Sequence, residues 1–144
     1  MSRQPARALR VFLDANVLFS AAKSDGAVRE LLRLLLHAGH ECWVDDYVVF
    51  EARRNLGTKG PEALAALEAT LMRARVSPAQ APGPALKELD SLPEEDRPVL
   101  AAAMRLLCDA LVTGDRTHFG PGYGKIFGSV AIQSPRSLAE SLFG

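Results

Sequence analysis

Two short apolar runs, each ending on an acid, constrain this chain most. Val11-Phe12-Leu13 is too apolar, and too β-branched or aromatic, for a solvated loop, and reads as a buried strand. Asp14 follows at once, where an open α/β sheet places its ligand crevice, outside the carboxyl ends of the strands. Ala110-Leu111-Val112-Thr113-Gly114-Asp115 has the same form. A lone acid at such a junction ordinarily starts a turn or caps the next helix. Two of them on parallel neighbours would instead face one another across one crevice.

Strand-like and helix-like stretches alternate around these junctions. Residues 17–22 open a short helix, Ser24-Asp25-Gly26 supply capping residues, and 27–38 form a leucine-rich helix ended by Gly39. Residues 40–44 are the second strand, and Asp45-Asp46 cap a helix that runs to about Leu56 and carries Glu51. Pro61 opens a helix with a buried stripe at Leu64, Leu67 and Leu71, and Arg75-Val76-Ser77 is a brief edge strand. Residues 78–93, rich in Pro, Ala and Gly, read as a loop. Glu94-Glu95-Asp96 then start a helix whose buried side is Val99, Leu100, Ala103, Met104 and Leu107. A glycine-rich loop at 120–125, a last strand at 129–132 and a helix opened by Ser134-Pro135 complete the chain. This alternation predicts an α/β fold: one domain over 1–144, with a mostly parallel central sheet flanked by helices on both faces.

The 144 residues carry 17 basic and 17 acidic side chains, so no global field draws in a polyanion, and any nucleic-acid binding must arise locally. Cys42 and Cys108 have no CxxC or Cys/His spacing and read as reduced core residues, which suits a cytoplasmic protein. The first apolar run is cut by Asp14 before reaching signal-peptide length, and no stretch is long and apolar enough for a membrane span.

The chemistry lies in four acids that such a fold gathers. Asp14 and Asp115 stand at strand ends; Glu51 and Asp96 stand near the N-terminal parts of helices, which begin on the side of the sheet where the preceding strand ends. Four carboxylates so close would repel and raise one another's pKa unless a divalent cation compensates them. An all-oxygen donor set points to Mg²⁺ or Mn²⁺, since zinc would want His or Cys.

Taken together, Phe12-Leu13-Asp14-Ala15-Asn16-Val17-Leu18, Glu51 within Val48-Val49-Phe50-Glu51-Ala52, Asp96 ahead of Val99-Leu100-Ala101-Ala102-Ala103, and Leu111-Val112-Thr113-Gly114-Asp115 resemble a PIN domain. PIN domains include the VapC-type toxins of bacterial toxin–antitoxin pairs. The resemblance implies a ribonuclease with a metal site made by Asp14, Glu51, Asp96 and Asp115, and with Asn16 and Thr113 as polar neighbours. It further implies hydrolysis of the RNA backbone by in-line attack of a metal-activated water, for which two ions ~3.5–4 Å apart are the usual arrangement. Because such a site is acidic, substrate needs a basic rim, with Arg53, Arg54, Arg97, Arg116, His118 and Lys125 as candidates. One departure from the family pattern is His118 where many relatives place Phe, with Phe119 following.

The resemblance also implies an antitoxin partner and a homodimer. Leucines on the helix at 27–38 and on the helix at 61–74 suggest an apolar groove for a partner's amphipathic helix. Two other readings compete with the nuclease: a non-catalytic PIN-like module that binds RNA or protein, and a phosphoacceptor receiver domain. A receiver should carry an acid pair directly after its first strand, where this chain has only Asp14. The loop at 120–125 is no P-loop, because Ile126 stands where Ser or Thr must bind magnesium.

Overall fold

A computed structural model describes residues 7–79, 97–114 and 124–144. Its elements run β1 (Arg10–Leu13), α1 (Ala15–Lys23), α2 (Ala27–His37), β2 (Glu41–Asp45), α3 (Asp46–Lys59), a 3₁₀ turn (Pro61–Ala63), α4 (Leu64–Leu71) and β3 (Arg75–Ser77). There follow α5 (Arg97–Arg105), β4 (Ala110–Val112), β5 (Ile126–Phe127), β6 (Val130–Gln133) and α6 (Pro135–Phe143). The sheet order is β3-β2-β1-β4-β6-β5, and every pair is parallel except β5 with β6. The chain is therefore the α/β fold, with a mostly parallel sheet, that the alternation of patterns predicts. No helix among the described residues is long and apolar enough to cross a membrane.

β1 sits at the centre because its sequence allows nothing else. Val11, Phe12 and Leu13 are fully buried, with Phe12 level with Trp43 of β2 on one side and Leu111 of β4 on the other. Helices α1 to α4 pack on one another and on β2, and α5 lies against β4 and β6. Both cysteines are buried and unpaired, and burial pushes each thiol up to about 12, so they behave as core side chains. His40 is also buried, its Nδ1 accepting the Leu9 N–H at 3.0 Å.

Several local expectations need correction. Asp25 does not cap α2: Gly26 is the N-cap residue with no side-chain bond, while Asp25 pairs with Arg33 at 3.1 Å. α3 continues past Leu56 to Lys59. Pro61 opens a 3₁₀ turn, and the α-helix itself starts at Leu64. Leu107 does not belong to the buried side of α5; it lies beyond the helix end, is 71% exposed, and takes a left-handed φ of 55°. The hairpin strand β5 was not anticipated. Residues 80–96 and 115–123, with the expected loop over 78–93 and most of the glycine-rich loop, lie largely outside the described residues.

Asp109 fastens the start of β1 to the entry of β4. Its carboxylate accepts the Arg10 N–H at 2.8 Å and the Arg7 guanidinium at 2.6 Å, and its own N–H donates to the Arg10 carbonyl at 2.7 Å. Burial alone would raise this carboxyl, but the bonds and charges of Arg7 and Arg10 outweigh it and hold it below the usual range. A carboxylate whose folded-state pKa is depressed adds stability above its unfolded pKa, about 3.9, and loses it as pH falls through the folded value. Asp109→Asn should therefore lower the urea midpoint at pH 7, with a gap to wild type that closes below about pH 4. A gap independent of pH would mean that the ionised carboxylate is not what ties these strands.

Candidate active site

Asp14 stands where β1 gives way to α1. Its N–H still donates to the Val112 carbonyl at 3.0 Å, so β1 and β4 stay in register up to the acid. Its side chain caps α1, one carboxylate oxygen accepting the Ala15 N–H at 2.8 Å. The other oxygen accepts the Thr113 hydroxyl at 2.8 Å and the Asn16 amide at 3.4 Å. Asn16 also donates to the Thr113 hydroxyl oxygen at 3.2 Å, and its own carbonyl oxygen accepts the Gly114 N–H at 2.9 Å. These bonds close a net that ties the end of β1 to the end of β4, with Thr113 fully buried and Asp14 nearly so. The carboxylate is thus held in one orientation from both strands.

Replacing Thr113 by valine keeps the shape and removes the hydroxyl. A buried carboxylate oxygen would then lose the hydroxyl donor at 2.8 Å, at a cost of about 1–3 kcal/mol. Thermal melting should show that loss directly; a Thr113→Val curve superimposable on wild type would mean that the hydroxyl does not support Asp14.

The second acid comes from α3. Asp45, buried at the end of β2, caps this helix by accepting the Val48 N–H at 3.0 Å, and burial pushes its own carboxyl upward. The buried face of α3 carries Val48, Val49, Ala52 and Leu56. Its other face carries Tyr47, Phe50, Glu51 and Arg54, at the i, i+3, i+4, i+7 spacing of one helix side. Glu51 pairs with Arg54 at 3.2 Å. Tyr47 feels the charge of both acids. Burial, the charges of Glu51 and Asp14, and a hydrogen bond to Glu51 all raise its phenol, against a smaller opposing effect of Arg54. Tyr47 was missed in the sequence, although its position one turn before Glu51 was the available signal.

Of the expected site residues, the structure brings Asp14, Asn16 and Thr113 together and sets Glu51 beside Tyr47. Asp96, Asp115, Arg116 and His118 lie outside the described residues. Arg97 opens α5, and Lys125 is exposed just before β5. Arg53, expected in the rim, forms a two-pronged pair with Glu68 of α4, at 2.9 and 2.7 Å, which braces α3 against α4. Among the described residues no three His, Cys, Asp or Glu side chains come close enough to hold a metal ion. The donors at hand, Asp14 and Glu51, are hard oxygens of the kind Mg²⁺ and Mn²⁺ take.

The described residues also form two open surfaces. A cleft of about 480 Å³ beside Gly114 runs between the start of α2 (Ala27, Val28, Leu31) and the start of α6 (Ser134, Pro135, Arg136). A groove of about 350 Å³ runs between α2 and α4, with Leu32, Leu36, Ala66 and Ala69 in it and Arg29, Arg33 and Arg73 along it. This groove differs from the expected one: Leu67 and Leu71 of the α4 stripe are buried in the core, and Ala66, Ala69 and Thr70 of α4, with Arg73 just past its end, line the groove instead.

No curated protein matches the sequence. Among solved structures, a chain of VapBC2 from Rickettsia felis, bound to a DNA fragment from their promoter, superposes with a TM-score of 0.64. The match covers 88% of this chain and 98% of that one at 16% identity, a likeness of fold. A family model described as PIN domain matches residues 10–117, from β1 to beyond β4 and across the acids that β1 and α3 present. The chain belongs to the PIN domain family.

Proposed function

We propose that the protein is a metal-dependent ribonuclease and the toxin member of a toxin–antitoxin pair. The observation that supports this most is the Asp14 net: a nearly buried carboxylate, oriented by Thr113 and Asn16 at the ends of two adjacent parallel strands. Asp14 and Glu51, with Asp96 and Asp115, would hold Mg²⁺ or Mn²⁺. When bound, the metal supplies an activated water and neutralises charge on the reacting phosphate. The remaining work belongs to the chain. Thr113 and Asn16 keep Asp14 from turning, as outer partners of metal-binding carboxylates do. Tyr47 stands one helical turn before Glu51 on the same face of α3. Arg54, Arg97, Arg116, His118 and Lys125 form the basic rim that offsets the acids and receives backbone phosphates.

The groove between α2 and α4 is the site we assign to the antitoxin. Its apolar floor takes one face of a helix, and Arg73 at its edge favours an acidic residue on that helix. The similar chain from Rickettsia felis is itself part of a VapBC complex, which supports a partner of this kind. A homodimer completes the proposal, and the mass of the purified chain in solution tests it.

The nuclease reading is tested by incubating the purified chain with a mixed RNA pool. Cleavage that requires Mg²⁺ or Mn²⁺ and stops with a chelator is expected. RNA bound but left uncut under all metals would favour a non-catalytic PIN-like module.

A further inference from the structure

The exposed side of α3 holds an arrangement that an acid site does not itself require. Phe50 is 61% exposed and Tyr47 is 40% exposed, one helical turn apart, and Glu51 lies between them and Arg54 on the same side. The Arg54 guanidinium carbon lies over the Phe50 ring, 5.9 Å from its centroid, while the group pairs with Glu51. Single exposed apolar side chains are ordinary. Two exposed aromatic rings beside a candidate metal-binding acid, with an arginine within reach of one of them, offer faces for flat, π-faced groups.

We infer that Tyr47 and Phe50 form a stacking shelf on which unpaired bases next to the scissile phosphate rest, so that α3 positions the substrate as well as presenting Glu51. The inference rests on the nuclease reading of the site. Bases splayed out of a strand stack on aromatic rings and on arginine planes, whereas bases inside an A-form duplex cannot reach such a shelf.

The test measures binding and not cleavage. The full chain carrying Asp14→Asn is titrated with a fluorescein-labelled oligoribonucleotide, single-stranded or annealed to its complement, and read by anisotropy. Adding Phe50→Ala should raise the Kd for the single strand about fivefold or more, the size that losing one base–aromatic stack gives. It should leave the duplex Kd within about twofold, and Phe50→Trp should restore tight single-strand binding. Equal losses for strand and duplex, no loss at all, or no binding of the single strand by the parent would overturn the shelf. So would a fall in solution mass on Phe50→Ala, since the face would then join two copies of the chain. Failure of the nuclease reading is told apart by the wild-type chain leaving RNA uncut while single-strand binding still depends on Phe50.

Discussion

Asp14→Asn is expected to leave a folded protein whose metal-dependent RNA cleavage falls by more than about a hundredfold, since changing even the outer partners of a metal-binding residue costs about 10–100-fold. The fold survives because asparagine is itself a strong N-cap residue and its side-chain oxygen can still accept the Ala15 N–H. The new amide would face the Thr113 hydroxyl, which can turn to accept, and the Asn16 amide, which cannot easily do so because its oxygen already holds the Gly114 N–H. That one mismatch should cost about 1 kcal/mol. The pairing of a small stability change with a large activity loss is the signature. A variant that kept near wild-type cleavage would show that Asp14 is not part of the chemistry. One that unfolded would show that the net serves only to hold β1 to β4.

Phe12→Ala should have the largest effect on stability. Phe12 is fully buried in the central strand, flanked by β2 and β4 and covered by the sheet's packing helices. Truncating a buried phenylalanine costs about 3–5 kcal/mol, roughly a fifth or more of the stability of an ordinary domain. Urea unfolding should show the midpoint falling with little change in slope. Activity should fall only as the folded fraction falls, in contrast to Asp14→Asn. A loss below about 1 kcal/mol would mean that the core closes over the cavity and is not centred on β1.

The strands that carry the acids are legible in the sequence because they are buried on both faces. Val11-Phe12-Leu13 and Ala110-Leu111-Val112 are continuous apolar runs stopped by polar residues, and no other element type accounts for them. What lay hidden depends on partners distant in sequence. Asp25 looks like a helix cap, but Arg33 claims it. Arg53 looks like a free basic residue, but Glu68, fifteen positions on, takes it in two hydrogen bonds. Leu107 fits the apolar stripe of α5 by spacing, yet the chain leaves the helix after Arg105, and the stripe rule no longer applies. β5 is two residues long and shows no periodicity. Only the positive φ of Gly128, at the first position of its two-residue hairpin loop, marks the turn that pairs it with β6. Tyr47 falls within the helix that Asp45-Asp46 open, and the influence of Asp14 on it depends on how α3 is set against β1.

The chemistry of the cut ends tests the proposed metal-activated hydrolysis most directly. A water activated by metal needs no help from the ribose 2′-hydroxyl, so wild-type protein with Mg²⁺ or Mn²⁺ should leave 5′-phosphate and 3′-hydroxyl ends. It should also cut a strand whose 2′-hydroxyl at the scissile position has been replaced by hydrogen. Ends bearing a 2′,3′-cyclic phosphate would contradict the proposal, because the RNA would then have supplied its own nucleophile.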